Sequence, residues 1–126
     1  MEEFVQEALE KYAELSLELK TKYGLALSSD GLTSVTDKIS KLTIGTNFYC
    51  VLSYVRDSFL WHFDTCSSHN LTSYQIKGRI EVLTNTNFTN REMILMLFML
   101  GFELKPTRTM GCGYTLNPCY KLKFHK

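Results

Sequence analysis

The segment Asn90-Arg-Glu-Met-Ile-Leu-Met-Leu-Phe-Met-Leu100 limits what this chain can fold into more than any other stretch. Thr89 stands three residues before Glu92, the spacing of a capping box, in which the Thr hydroxyl accepts from the residue-92 N–H and the Glu carboxylate reaches back to the Thr89 N–H. Met93–Leu100 is then apolar without a break, and Gly101 follows as a stop. A bilayer span needs about 20 apolar residues, so this segment is too short to cross a membrane. A helix that is apolar all round is buried all round. Residues 93–100 are therefore expected to form the central helix of the core, with Asn90, Arg91 and Glu92 near water. If the fold left part of residues 93–100 uncovered, that part would become a subunit or partner interface, and a homodimer would follow.

The residues after the hub alternate. Phe102-Glu-Leu-Lys105 and Tyr120-Lys-Leu-Lys-Phe124 switch between apolar and charged positions with the period of a strand. Between them, residues 106–118 hold both prolines of the chain and two glycines, so the pair reads as a β-hairpin with a long loop, or as two strands with an excursion between them.

Upstream, residues 2–23 are expected to be a helix. Val5, Leu9, Tyr12, Leu15 or Ser16, Leu19 and Tyr23 recur at helical spacing with Ala8 and Ala13 beside them, and Gly24 ends the run. Residues 25–33 read as a turn-rich link, and 33–42 as a short helix with Thr33 or Ser34 as cap and Val35, Ile39 and Leu42 inward. In 46–64, Phe48, Val51, Leu52, Val55, Phe59 and Phe63 fit one helical face; the aromatics and Val also admit a strand, but the length favours a helix. Residues 71–83 admit two readings. Tyr74, Ile76, Gly78, Ile80 and Val82 alternate as a strand would; Leu71, Ile76, Ile80 and Leu83 make a helical stripe that Thr72 or Ser73 can cap.

With 126 residues the chain suits a single domain with its own core: an acidic helical part over 1–45 and a second part over 46–126. The fold class expected is α+β, with N-terminal helices, a buried helix and a C-terminal antiparallel β-hairpin. The N-terminus lacks the basic and apolar regions of a signal peptide, which predicts a cytoplasmic or nuclear protein with its cysteines (Cys50, Cys66, Cys112, Cys119) as free thiols.

On the helical reading of 72–83, the tail runs helix, turn, helix (90–100), strand, loop, strand. That order, with Thr89-Asn-Arg-Glu and an apolar run ending Leu-Gly-Phe-Glu-Leu-Lys105, resembles a winged helix-turn-helix domain over residues 46–126. The resemblance implies nucleic-acid binding. The second helix of such a pair presents polar and basic groups to base edges; here it offers nothing of the kind after Arg91, so direct readout by this helix is not expected. The wing remains.

Charge points the same way. Residues 1–23 carry six Glu against three Lys, whereas 71–126 carry eight Lys and Arg against three Glu. Lys105, Arg108, Lys121, Lys123 and Lys126, with Tyr114 and Tyr120 nearby, are the candidate contacts for phosphates or stacked bases. The same pattern is also that of a solubilising strand face.

Chemistry beyond binding finds little support. Cys66, His69, Cys112 and Cys119 form the one conceivable zinc set, against free thiols, and six residues separate the last two. No His lies beside a Cys, and no nucleophile elbow, phosphate loop or dinucleotide motif occurs. The expected function is thus a non-enzymatic, cofactor-free regulatory or adaptor module that engages nucleic acid, or a complex handling it, through a basic C-terminal hairpin. The alternative is a protein–protein module, such as a small viral or phage inhibitor of a host factor, with no nucleic-acid contact.

Overall fold

A computed structural model of the chain describes residues 2–34, 39, 41–57, 69–102, 104, 106 and 119–122. The fold is α+β. Helix α1 (Glu2–Tyr23) leads into a hairpin of β1 (Ala26–Ser28) and β2 (Gly31–Thr33), followed by α2 (Thr46–Asp57). Strand β3 (His69–Thr72) runs directly into α3 (Ser73–Thr84), then α4 (Asn90–Met99) and β4 (Cys119–Leu122). Both sheets are two-stranded and antiparallel, β1 with β2 and β3 with β4.

Helix α4 is the post of the core. Met93, Ile94, Leu95, Met96 and Leu97 are buried, and α1, α3 and β2 pack against it. The capping box forms as the spacing requires: Glu92 N–H donates to Thr89 Oγ1 at 3.1 Å, and Thr89 N–H to Glu92 Oε1 at 3.0 Å. At the other end Gly101 takes φ +92°, its N–H reaching the Phe98 carbonyl (3.1 Å) and the Phe102 N–H the Leu97 carbonyl (3.0 Å). These are the two bonds of a Schellman cap, and Phe102 folds back on the core beside them. A Cβ at Gly101 would meet nothing within 4 Å. Gly101→Ala therefore carries a backbone cost alone, and should lower unfolding free energy by about 1–2 kcal/mol in urea titration.

The hub differs from expectation at both ends. Asn90 and Arg91 are buried rather than near water, and Phe98, Met99 and Leu100 are half-buried. The cause is the β1–β2 hairpin, in a stretch expected to be a link. Its two-residue turn, Ser29-Asp30, closes over the start of α4. The Ser29 carbonyl accepts the Arg91 N–H at 3.4 Å, one of the donors that a helix start leaves unsatisfied. Leu27 and Leu32 pair across the hairpin, both buried. The Leu27 carbonyl accepts the Tyr12 hydroxyl at 3.3 Å, which fixes the hairpin to α1.

The buried face of α1 is Ala8, Leu15 and Leu19, with Phe4, Tyr12 and Tyr23 packed at its edge. The expected stripe is thus displaced at its start: Leu9 is exposed, and Phe4 sits edge-on to Tyr49 at 4.7 Å between ring centroids. In α2, Phe48, Val51, Leu52 and Val55 are buried as the helical reading requires; Phe59 and Phe63 lie outside the described residues.

Residues 73–84 are a helix, which decides between the two readings of that stretch. Thr72 is the N-cap, with the Gln75 N–H donating to Thr72 Oγ1 (3.1 Å) and the Thr72 N–H to Gln75 Oε1 (2.9 Å). Ser73, Ile76 and Ile80 face inward, but Leu83 does not. Asn85 adopts φ +52° at the C-cap, which turns the chain toward α4.

The C-terminal hairpin needs correction. The strand expected at 120–124 is present as Cys119–Leu122, but its partner is β3, not 102–105. Phe102 and Leu104 lie outside any strand, and Leu104 is buried in the core. The register pairs His69 with Leu122, Asn70 with Lys121, Leu71 with Tyr120 and Thr72 with Cys119. Thr33 is the last residue of β2, and Ser34, Ile39, Lys41 and Leu42 are not helical, against the short helix expected over 33–42; residues 35–38 and 40 lie outside the described residues.

Candidate functional site

Of the basic and aromatic candidates, Tyr120 and Lys121 are described, side by side on β4 opposite Leu71 and Asn70. Lys105, Arg108, Tyr114, Lys123 and Lys126 lie outside the described residues, as do Cys66 and Cys112 of the zinc set. His69 and Cys119 stand at opposite ends of the β3–β4 ladder. Among the described residues no three His, Cys, Asp or Glu side chains gather where they could hold a metal ion. Cys50 is an exposed free thiol on α2.

The N-terminus of α4 is a sealed polar junction. Asn90 donates through Nδ2 to the Asp30 carbonyl at 2.9 Å and accepts at Oδ1 from Ser73 Oγ at 2.8 Å. One side chain thus ties the hairpin turn, the first turn of α3 and the first turn of α4 together. Arg91, 5% exposed, brings its guanidinium carbon to 5.9 Å from the centre of the Tyr12 ring on α1.

Beside the junction, a shallow groove of about 280 Å³ runs between the hairpin turn and the α3–α4 corner. Lys77 is among the residues that line it. Its ammonium is 2.9 Å from Glu81 Oε1, 5.4 Å from the Tyr74 ring centre and 6.0 Å from that of Phe88. Glu81 also accepts the Phe88 N–H at 3.0 Å. Both charges are spent on holding the α3–α4 turn. A larger groove, about 770 Å³, lies between α1 and β1, walled by Tyr12, Leu25 and Leu27 with Lys20 at its rim. Among the described residues the carboxylate with a clear perturbation is Asp57, which takes two hydrogen bonds from its neighbour Arg56 (2.8 and 3.2 Å) that hold its carboxyl below the usual range. That pair lies in open solvent at the end of α2 and faces neither groove.

The surface that sequence reasoning missed is the outer face of α3. Tyr74 is 61% exposed, Val82 82% and Leu83 52%. Tyr74 and Val82 lie about 80° apart on the outer side, whereas Leu83 falls about 180° from Tyr74. The signal was available in the spacing, since Tyr74, Gly78 and Val82 are four apart and opposite Ile76 and Ile80.

No protein-family model matches the chain, and neither a curated protein nor a solved structure matches it. Function is therefore argued from its own surfaces. Among the described residues, no helix is long and apolar enough to cross a membrane.

Proposed function

We propose that this chain is a non-enzymatic regulatory or adaptor module that engages nucleic acid, or a complex handling it, through the β3–β4 ribbon and the basic segments on either side of β4. The observation that carries the reading is the burial of α4 together with the attachment of the ribbon. The tail order α3, turn, α4, then strand, together with a ribbon fixed at the start of the helix pair, supports the winged helix-turn-helix resemblance. Yet α1 and the β1–β2 hairpin cover the helix that would otherwise read bases. Contact then falls to the ribbon, where β3 passes without a break into the capped first turn of α3 and β4 carries Tyr120 and Lys121. A ribbon anchored on a capped helix is a stiff platform. Lys105, Arg108, Tyr114, Lys123 and Lys126 would extend it with charge and stacking surface.

Titrating the chain into labelled single- and double-stranded oligonucleotides at stepped salt tests this. Binding should weaken steeply with salt. Lys121→Glu with Lys123→Glu should cut affinity at least tenfold and make the log–log salt slope shallower by about 1.5, since each lost phosphate contact removes about 0.7–0.9. An absence of binding at low salt would end this reading.

A second reading, a protein–protein module, is favoured by the exposed Tyr74, Val82 and Leu83 on α3. A protein complex lost on Val82→Lys, with oligonucleotide binding unchanged, would support it; a complex indifferent to that substitution would count against it.

A further inference from the structure

The groove between α1 and β1 is used by neither reading. At about 770 Å³ it has the size of a small-ligand pocket. Leu25, Ala26, Leu27 and Ile39 give it apolar walls. On the α1 side Tyr12, Ser16 and Lys20 line it at four-residue spacing, and Gly24 continues the line. The Tyr12 hydroxyl donates to the Leu27 carbonyl at 3.3 Å. Ser16 and Lys20 are left as the donors that face a ligand. Lys20 differs from the other lysines of its helix. Lys11 pairs with Glu14 at 3.4 Å and Lys22 with Glu18 at 2.9 Å. Lys20 has Ser16 and Gly24 four residues away and Leu17 and Tyr23 three away, so no carboxylate stands at pairing spacing. Among the described residues it makes no ion pair. None of the six Glu of α1 lines the groove. An acidic helix thus presents here one ammonium and no carboxylate. Nor does the helix end oppose an anion through its nearest carbonyls. Those of Lys20 and Leu19 are already taken by the Gly24 and Leu25 N–H groups, both at 3.1 Å.

We propose that this groove binds a small carboxylic acid with an apolar chain. Its carboxylate lies on the Lys20 ammonium and the Ser16 hydroxyl, and its chain on Leu25, Ala26, Leu27 and Ile39. The apolar walls remove the chain from water, which drives entry. The charge-assisted bond to Lys20 fixes which end stays at the rim. One ammonium and one hydroxyl suit a single negative charge, whereas a phosphate dianion calls for more donors. The site shares no residue with the ribbon or with the outer face of α3, and it stands whether or not either of them binds a partner.

Amide chemical shifts of the full chain, followed as sodium octanoate is added, test this, with octanol and acetate as controls. Octanoate should move the amides of Ser16, Lys20 and residues 24–27 and saturate with a Kd below about 1 mM. Acetate, which lacks the chain, should move none of them at equal concentration, and octanol should move the same amides less. Lys20→Met keeps the stem of the side chain and removes its charge. It should weaken octanoate about tenfold, to the level of octanol, and leave octanol binding unchanged. Its thermal midpoint should stay close to that of the parent chain, because Lys20 is exposed. Ser16→Phe sets a ring in the groove and should abolish binding of both compounds. An absence of shifts up to about 5 mM octanoate would overturn the proposal. So would equal octanoate affinity in the parent chain and Lys20→Met, or shifts that fall on other elements while residues 16–27 stay still.

Discussion

Asn90→Ala should destabilise the fold by about 2–3 kcal/mol, although it removes only a short side chain at a helix start. The Asn90 amide joins the Ser73 hydroxyl at 2.8 Å to the Asp30 carbonyl at 2.9 Å, and both Asn90 and Ser73 are buried. Truncation leaves the hydroxyl without this acceptor and the turn carbonyl without this donor. Each buried group so abandoned costs about 1–3 kcal/mol, the less for Asp30, which can turn to water. An ordinary exposed N-terminal helix position would show a few tenths instead. Chemical denaturation of Asn90→Ala, Ser73→Ala and the double variant measures the coupling. The pair should be non-additive by about 1 kcal/mol, because the second truncation removes a group that the first has already stranded. Additivity would mean that the junction does not join α3 to α4.

Ile94→Ala should cost more, about 3–4 kcal/mol. Ile94 is fully buried in the segment of α4 that α1, α3 and β2 enclose. Loss of its transfer energy is compounded by the cavity, which elements packed from three directions cannot readily fill. Against a total stability of about 5–15 kcal/mol for a domain of this kind, that is a large fraction. Ile94→Val, which removes one methyl, should cost about 1 kcal/mol. Leu17→Ala provides the contrast: Leu17 is 62% exposed on α1, and its truncation should fall within about 0.5 kcal/mol of zero. Urea titrations with a constant slope would compare all three on one scale.

The hub was legible because its signals are local. Thr89, Glu92, Gly101 and the apolar run lie within thirteen residues, and the caps formed as their spacing requires. What surrounds the hub was not local. Strands of three residues are too short to display a period, so β1 and β2 passed for a link, although Asp30-Gly31 between Leu27 and Leu32 carries a hairpin signal. Missing that hairpin placed Asn90 and Arg91 in water. The start of the α1 stripe went wrong for a related reason. Phe4 and Val5 are adjacent and both apolar, and the choice between them is made by Phe48 and Tyr49 more than forty residues away. Alternation at 120–124 identified a strand but not its partner, since pairing depends on chain closure rather than on the strand's own residues. The candidate site divides in the same way. Tyr120 and Lys121 were read onto a strand and lie on one, whereas the α3 face stayed hidden while residues 71–83 could be strand or helix.

Binding falls to the surrounding surfaces only if α4 is the enclosed post of the fold. Amide hydrogen exchange, followed residue by residue with and without a binding oligonucleotide, tests that most directly. Met93–Leu97 should exchange only through global unfolding and be the slowest amides in the chain, and the oligonucleotide should leave them unchanged while protecting β3 and β4. Early exchange across Met93–Leu97, with new protection of α4 when the oligonucleotide binds, would show a helix presented to its ligand and would contradict the account.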